Sequence, residues 1–390
     1  ITFFAAAAGM ICSIRGSVNF EFSTPIMALL CLYTFFEVIF RFGLNVIRLE
    51  YNSKLYSTLN IVLKLGFVCI ALPLLFFADN EDLLMLCIAS TGSAVIVTLF
   101  SIFSKREMWR FRSVKASDCN VNRIELMKYA LPLTVTMGIT YLFQALDRLS
   151  IQYFCDYSEV GIYASTMSLV NVFAIIQTTF NTLWSPMAIE HYSKDPEDRT
   201  FYQKGNQIIT VIMFFLGVSL ILCKDIFALL LGEKYRAAAY ILPFLIFHPI
   251  MYTISETTVT GINFMKKSNM TVIIAGISCF ANFVGNTILV PRIGGRGAAI
   301  STGLSYILFF ALRTLISNHY YYVDFKLKKF AILTIFVCGY ALYNTFFAFN
   351  WVSLVGYCVC VLLILILYKD TVIWGIKYFF KELRSLRNKG

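Results

Sequence analysis

The sequence predicts an all-α, polytopic membrane protein with about twelve transmembrane helices, and three observations carry that prediction. The chain is 58% hydrophobic and only 14% charged, with a mean hydropathy of +0.72, whereas soluble domains carry ~25% charged residues. The apolar residues come as unbroken runs close to the ~20 residues that cross a bilayer. They show no alternation of apolar and polar positions, so helices rather than barrel strands must satisfy the backbone in lipid. The polar intervals are short; the longest, Ser104–Lys128, holds seven basic residues (Lys105, Arg106, Arg110, Arg112, Lys115, Arg123 and Lys128) against three acidic ones (Glu107, Asp118 and Glu125).

Taken in order, the predicted spans are 1–14, which is short, then 25–47, 57–77, 82–103, 128–148, 160–181, 206–223, 238–262, 270–290, 297–317, 329–349 and 352–375. No interval between them is long enough for an extramembrane domain. The chain begins at Ile1 without Met or the charged start of a signal peptide, and we expect N-terminal helices to be missing. Segments on one side of the spans hold 22 Lys and Arg, against 7 on the other. The positive-inside bias therefore puts loop 104–128 and the C-terminal tail in the cytoplasm. The tail from Tyr378 onward, YFFKELRSLRNKG, reads as an amphipathic helix on anionic lipid. The long loop reads in the same way, as an interfacial strap; a basic stretch between membrane spans is a poor nucleic-acid signal, so no nucleic-acid partner is expected.

Ionisable groups inside spans cost ~2.5–3.5 kcal/mol each to insert, which makes them functional candidates. Glu37 and Arg41 share a helix face at i, i+4 spacing and can neutralise each other. Lys64 lies in the next span, about two turns from its cytoplasmic end. Glu256 lies in MYTISETTVTGIN, where neighbouring Ser and Thr would be its partners. Asp147 and Arg148 close one span on the outer side, and Arg313 closes another on the inner side. Lys64, Arg148 and Arg313 are near enough to an interface to snorkel, and the pair Glu37–Arg41 serves a structural role as readily as it lines a cavity. Asn282 and Asn286 stand one turn apart, placed either to bind neighbouring helices or to coordinate an ion.

Catalytic constellations are missing from the sequence: it has no phosphate loop, no GxSxG elbow, no HExxH and no metal-spaced Cys/His cluster. The eleven Cys lie mostly in apolar runs without a CxxC pair and read as small buried hydrophobes. The three His (His191, His248 and His319) are too dispersed for a metal site. We therefore expect a secondary transporter rather than an enzyme, with no cofactor.

From Glu125 to Tyr322 a series of motifs carries a family resemblance. They are YALPLT at 129–134, LDR at 146–148, EVGIYA at 159–164, LWSP at 183–186 with Glu190, LLGEKYRAAAYILPFL at 230–245 and NTILVPRIGGRGAAISTGLSY at 286–306. In that order and spacing they resemble the polysaccharide-transporter branch of the MOP superfamily, which holds the O-antigen (Wzx-type) flippases and is related to the MATE exporters. Pro291 with Gly294, Gly295 and Gly297 allows a tight outer turn.

The resemblance implies two helix bundles plus two C-terminal helices. On this chain they are an N-terminal lobe of four spans (1–103), a linker (104–128), a lobe of six spans (129–317) and two extra spans with a basic tail (318–390). It implies a flippase of the bacterial inner membrane that turns an undecaprenyl-diphosphate-linked oligosaccharide across by alternating access. Membrane lipids and other polysaccharide-assembly proteins would be its further partners. A cationic cavity would hold Glu37, Arg41, Lys64, Arg148, Glu256 and Arg313. A coupling ion, H+ or Na+, would sit at Asp147, Asn282 and Asn286. The alternatives are a MATE-type cation or drug antiporter, expected to carry more acidic cavity residues, and a membrane oligosaccharide polymerase or ligase, expected to carry a large outer loop.

Overall fold

A computed structural model describes residues 24–49, 53–77, 82–104, 106, 123–229, 231–375 and 377. The first predicted span, most of loop 104–128 and the tail beyond Lys377 lie outside the described residues, and so do the interfacial helices expected there. Helices occupy the other eleven predicted spans, and no strand is found among the described residues. By length and apolarity, eight helices among the described residues can cross a membrane, or nine with one bent pair counted as a span. This is a multi-pass, all-α membrane protein.

The chain divides into two compact units, Ile1–Asn120 and Val121–Gly390. In the first, α1 (Thr24–Leu49) and α2 (Ser53–Phe77) each pack on α3 (Asp82–Ser104). Small residues at Ala89, Ser93 and Ala94 are buried on α3 and let its backbone approach its neighbours, because helices in lipid associate through packing rather than through expulsion of water. The Thr91 and Thr98 hydroxyls bond carbonyls of their own helix at 2.7 and 2.6 Å. They also lie 3.3 and 3.2 Å from the Leu29 and Phe36 carbonyls of α1.

The second unit holds α4 (Arg123–Phe154), α5 (Tyr157–Lys194), α6 (Thr200–Leu222) and the short α7 (Lys224–Leu229). The predicted span 238–262 is built from three successive segments, α8 (Ala238–Leu245), α9 (Phe247–Thr258) and α10 (Thr260–Phe264). Its α8–α9 part is more enclosed than any other span among the described residues. Apolar side chains on every side of α8 explain that central position. Then follow α11 (Ser268–Tyr320), α12 (Leu327–Phe346), α13 (Trp351–Leu367) and α14 (Lys369–Gly375), the last bent 86° from α13.

Helix α11 is two arms that meet at a turn. Ile293 (φ −137°) and Gly294 (φ 57°) leave helical geometry, and only glycine takes Gly294's left-handed backbone without strain. The Glu159 carboxylate secures the turn by accepting a 3.0 Å bond from Gly295 N–H. Below the turn the arms come close at Gly285, where an added Cβ would stand 2.3 Å from Ser301 Oγ. At the opposite end of the bundle, the loop between α5 and α6 is tied down by His191 Nε2 to Asp198 Oδ2 (3.0 Å) and by Tyr321 donating to the Pro196 carbonyl (2.8 Å). We call these the Gly294 end and the Asp198 end.

Candidate functional site

Asp147 is the centre of a buried polar cluster in the second unit. It does not close a span at the surface as expected: α4 continues to Phe154, so the carboxylate lies about two turns inside the helix end and is 2% exposed. Asp147 on α4 faces residues from each arm of α11. Oδ1 accepts from Asn286 Nδ2 (2.8 Å) and Asn282 Nδ2 (3.1 Å), both on the first arm. Oδ2 accepts from Thr302 Oγ1 on the second arm (2.6 Å) and from Tyr163 Oη on α5 (2.6 Å). All four donors are neutral and buried, and no cationic side chain among the described residues pairs with this carboxylate. Asn282 Nδ2 also reaches Thr302 Oγ1 at 3.0 Å, and its Oδ1 accepts from Asn286 Nδ2 at 3.2 Å. One atom is left over: Asn286 Oδ1 is buried and bonds to nothing.

The structure thus brings Asp147, Asn282 and Asn286 together. Tyr163 and Thr302 complete the cluster and were not singled out from the sequence. Both lie inside motifs that carry the family resemblance, EVGIYA and STGLSY, but an isolated Tyr or Thr in a membrane helix gives no sign of its partner.

Glu256 and Arg313 form a second polar spot, nearer the Asp198 end. Arg313 does not close its span either, since α11 runs about two further turns to Tyr320. Its Nη1 donates to Glu256 Oε1 (2.8 Å) and Ser255 Oγ (2.7 Å), with the two charged side chains 11% and 18% exposed. The guanidinium lies 5.6 Å over the Tyr252 ring and 5.5 Å over Phe309, two rings stacked 5.9 Å apart. Glu256 therefore finds its partner on another helix rather than in the neighbouring Ser and Thr, which instead bond α9's own carbonyls and Arg313. Along α11's second arm, Thr302 and Arg313 are separated by ~16 Å at 1.5 Å per residue.

The remaining cationic candidates are exposed, and Glu37 is partly enclosed. In the first unit, Arg41 Nε donates to Glu37 Oε1 at 2.9 Å while the Arg41 side chain stays 73% exposed and Glu37 Oε2 is buried without a partner. Lys64 is exposed and unpaired among the described residues. Because α2 starts at Ser53, Lys64 is about three turns from the helix end rather than two, and Arg41 lies about two turns from the adjoining end of α1. In the second unit Arg148 is exposed one residue past Asp147. No group of three metal-ligating side chains occurs among the described residues.

No family model matches the chain. Among curated proteins it is 23% identical over 203 residues to a probable low-salt glycan biosynthesis flippase, Agl15, of Haloferax volcanii, a match covering 51% of this chain and 42% of that protein. It is 22% identical over 260 residues to an uncharacterised membrane protein of Methanocaldococcus jannaschii, covering 66% of this chain and 50% of that one. The chain spans about half the length of the curated relatives it matches. Among solved structures it is similar to the lipid II flippase MurJ in an inward closed conformation, with TM-score 0.59 and 14% identity over 92% of this chain and 73% of that one. It is also similar to a MATE mutant, with TM-score 0.56 and 12% identity over 82% and 74% of the two chains. The chain has the fold of MurJ and MATE transporters. Its homology to a glycan flippase is weak, and the relatives and neighbours with a stated activity are flippases or transporters.

Proposed function

We propose that this protein is an ion-coupled flippase for a polyprenyl-diphosphate-linked oligosaccharide, an O-antigen or capsule repeat unit of Wzx type, working by alternating access in the bacterial cytoplasmic membrane. The observation that carries the reading is Asp147. A carboxylate deep in a membrane protein with four neutral donors and no fixed cation is costly, and a mobile cation supplies the missing charge. The oxygen donors suit H+ or Na+. Protonation of Asp147 needs only that the Thr302 or Tyr163 hydroxyl turn from donor to acceptor. Na+ would use an Asp147 oxygen, Thr302 Oγ1 and Asn286 Oδ1, the unpartnered atom, brought inward by a half-turn of its amide. The curated glycan flippase and the MurJ-like fold support the substrate class.

For the substrate, exposed cations at membrane depth are the relevant feature, because lipid does not tolerate them and a diphosphate attracts them. Arg41 and Lys64, with Glu37 orienting Arg41, are the proposed contacts in the first unit, and exposed Arg148 in the second, with the less exposed, mutually paired Glu256 and Arg313 as further candidates there. Loop 104–128 and the C-terminal tail would face the cytoplasm.

The MATE fold supports a second reading, a cation or drug antiporter. A gene-deletion strain separates the two. Loss of surface polysaccharide, restored by the wild type and not by Asp147→Asn, is the result expected of the flippase. Intact surface polysaccharide with raised drug sensitivity would replace it with the antiporter. Neighbouring glycosyltransferase genes would identify the sugar pathway.

A further inference from the structure

A cavity of about 220 Å³ opens at the Asp198 end, between the second and third turns of α6 and the bent segment α14. It is below the roughly 300–1,000 Å³ of pockets that enclose drug-sized molecules. The 86° bend turns α14 across the direction of α13, so that α14 lies along that end of the bundle. Thr371 Oγ1, 2.9 Å from Gln207 Oε1, fastens it to α6.

The charges in this cavity are its unusual feature. Lys204 of α6 and Asp370 of α14 both line it, both are exposed, and neither has an ion-pair or hydrogen-bond partner among the described residues. Opposite charges that share a cavity without pairing leave one cationic and one anionic place open. The rest of the wall is mixed: Gln207 and Thr371 are polar, while Ile208 and the 54%-exposed Trp374 are apolar. Tryptophan of this kind sits at headgroup level in membrane proteins.

We infer that this cavity binds the headgroup of a zwitterionic phospholipid bearing a primary ammonium, with its phosphate on Lys204, its ammonium on Asp370 and its glycerol and upper chains against Ile208 and Trp374. Such a lipid would bridge α6 and α14 where Thr371 and Gln207 already join them. Phosphatidylglycerol satisfies Lys204 but offers Asp370 only neutral hydroxyls and no cation; a trimethylammonium headgroup has no N–H to donate to Asp370. The site is separate from the transport residues, so it stands whether or not the flippase reading does.

The test is native mass spectrometry of the purified full chain exchanged into phosphatidylethanolamine, phosphatidylglycerol or phosphatidylcholine. The wild type is expected to retain phosphatidylethanolamine about tenfold over phosphatidylglycerol, the worth of one hydrogen bond to a charged group, and to prefer it over phosphatidylcholine. Asp370→Asn should erase the preference, and Lys204→Ala should weaken retention of all three lipids. Equal retention by the wild type, or a preference that survives Asp370→Asn, overturns the assignment. So does competition by soluble glycerophosphoethanolamine as strong as by the lipid, which would make the ligand a free solute. Both substitutions are at exposed positions, and unchanged thermal unfolding in detergent would show that the fold is intact.

Discussion

Two carboxylates in the second unit, Asp147 and Glu256, are each bonded to residues of α11, yet their surroundings differ in kind. Glu256 has a fixed cation, Arg313, at 2.8 Å, with a hydroxyl and two stacked rings around it. Asp147 has four neutral donors and no cation. The first arrangement is electrically closed and joins α9 to α11. The second lacks one positive charge, and that charge is the one thing a mobile ion can bring.

The largest expected effect tests the closed pair. Glu256→Gln leaves the largely enclosed Arg313 beside neutral groups and should cost up to about 3 kcal/mol, the low end of the penalty for breaking a buried pair. Unfolding in detergent measures it, and the double variant Glu256→Gln with Arg313→Gln should recover most of the loss. No recovery would mean that the two residues are not coupled.

Asp147→Asn should behave in the opposite way. It should lower transport roughly 5- to 150-fold, the range of typical coupling free energies, with little loss of thermal stability. If Na+ is the ion, wild-type melting should rise with NaCl over equimolar KCl and this rise should vanish in the variant; a variant that unfolds readily would put Asp147 in the same structural class as Glu256. Thr302→Val removes one donor to Asp147 and should cost about 1.5–3 kcal/mol if the carboxylate is charged in the resting state; a near-neutral result would point to a protonated one.

Arg41→Ala sharpens the comparison from the first unit. Its ion pair is largely exposed, so stability should change by only ~0–1 kcal/mol, and any fall in surface polysaccharide at unchanged protein level reports on substrate binding. The smallest effect is at Asp324, outside the spans, whose carboxyl is held below the usual carboxylate range by hydrogen bonds from the Lys326 ammonium and backbone N–H. A depressed folded-state value stabilises the fold above the unfolded value of ~3.9 and loses that contribution as pH falls through the folded value. Comparing melting of the wild type and Asp324→Asn from pH 7 to pH 3 should show a slight gap that closes with acid.

Which helices form was legible because lipid imposes a single rule, that each ~20-residue apolar run must satisfy its own backbone. Span ends were less legible: α4 and α11 continue past Asp147 and Arg313 because polar residues buried against another helix remain helical. The turn at Gly294 was legible from Pro291 and its glycines. Of the site, Asp147, Asn282 and Asn286 stood out because charges and amides are rare in spans. Tyr163 and Thr302 did not, since hydroxyl residues in membrane helices usually bond their own helix, as Thr91 and Thr98 do.

The sequence by itself determined an all-α membrane chain, the positions of its spans and the polar residues that interrupt them, because hydropathy and backbone satisfaction are local properties. Only the tertiary structure decided which polar residues meet. Asp147 joins neutral groups from three helical segments, and Glu256 joins Arg313 across two, because those pairings depend on how α11 folds back at Gly294 and packs between α4 and α9, and no local pattern contains that information.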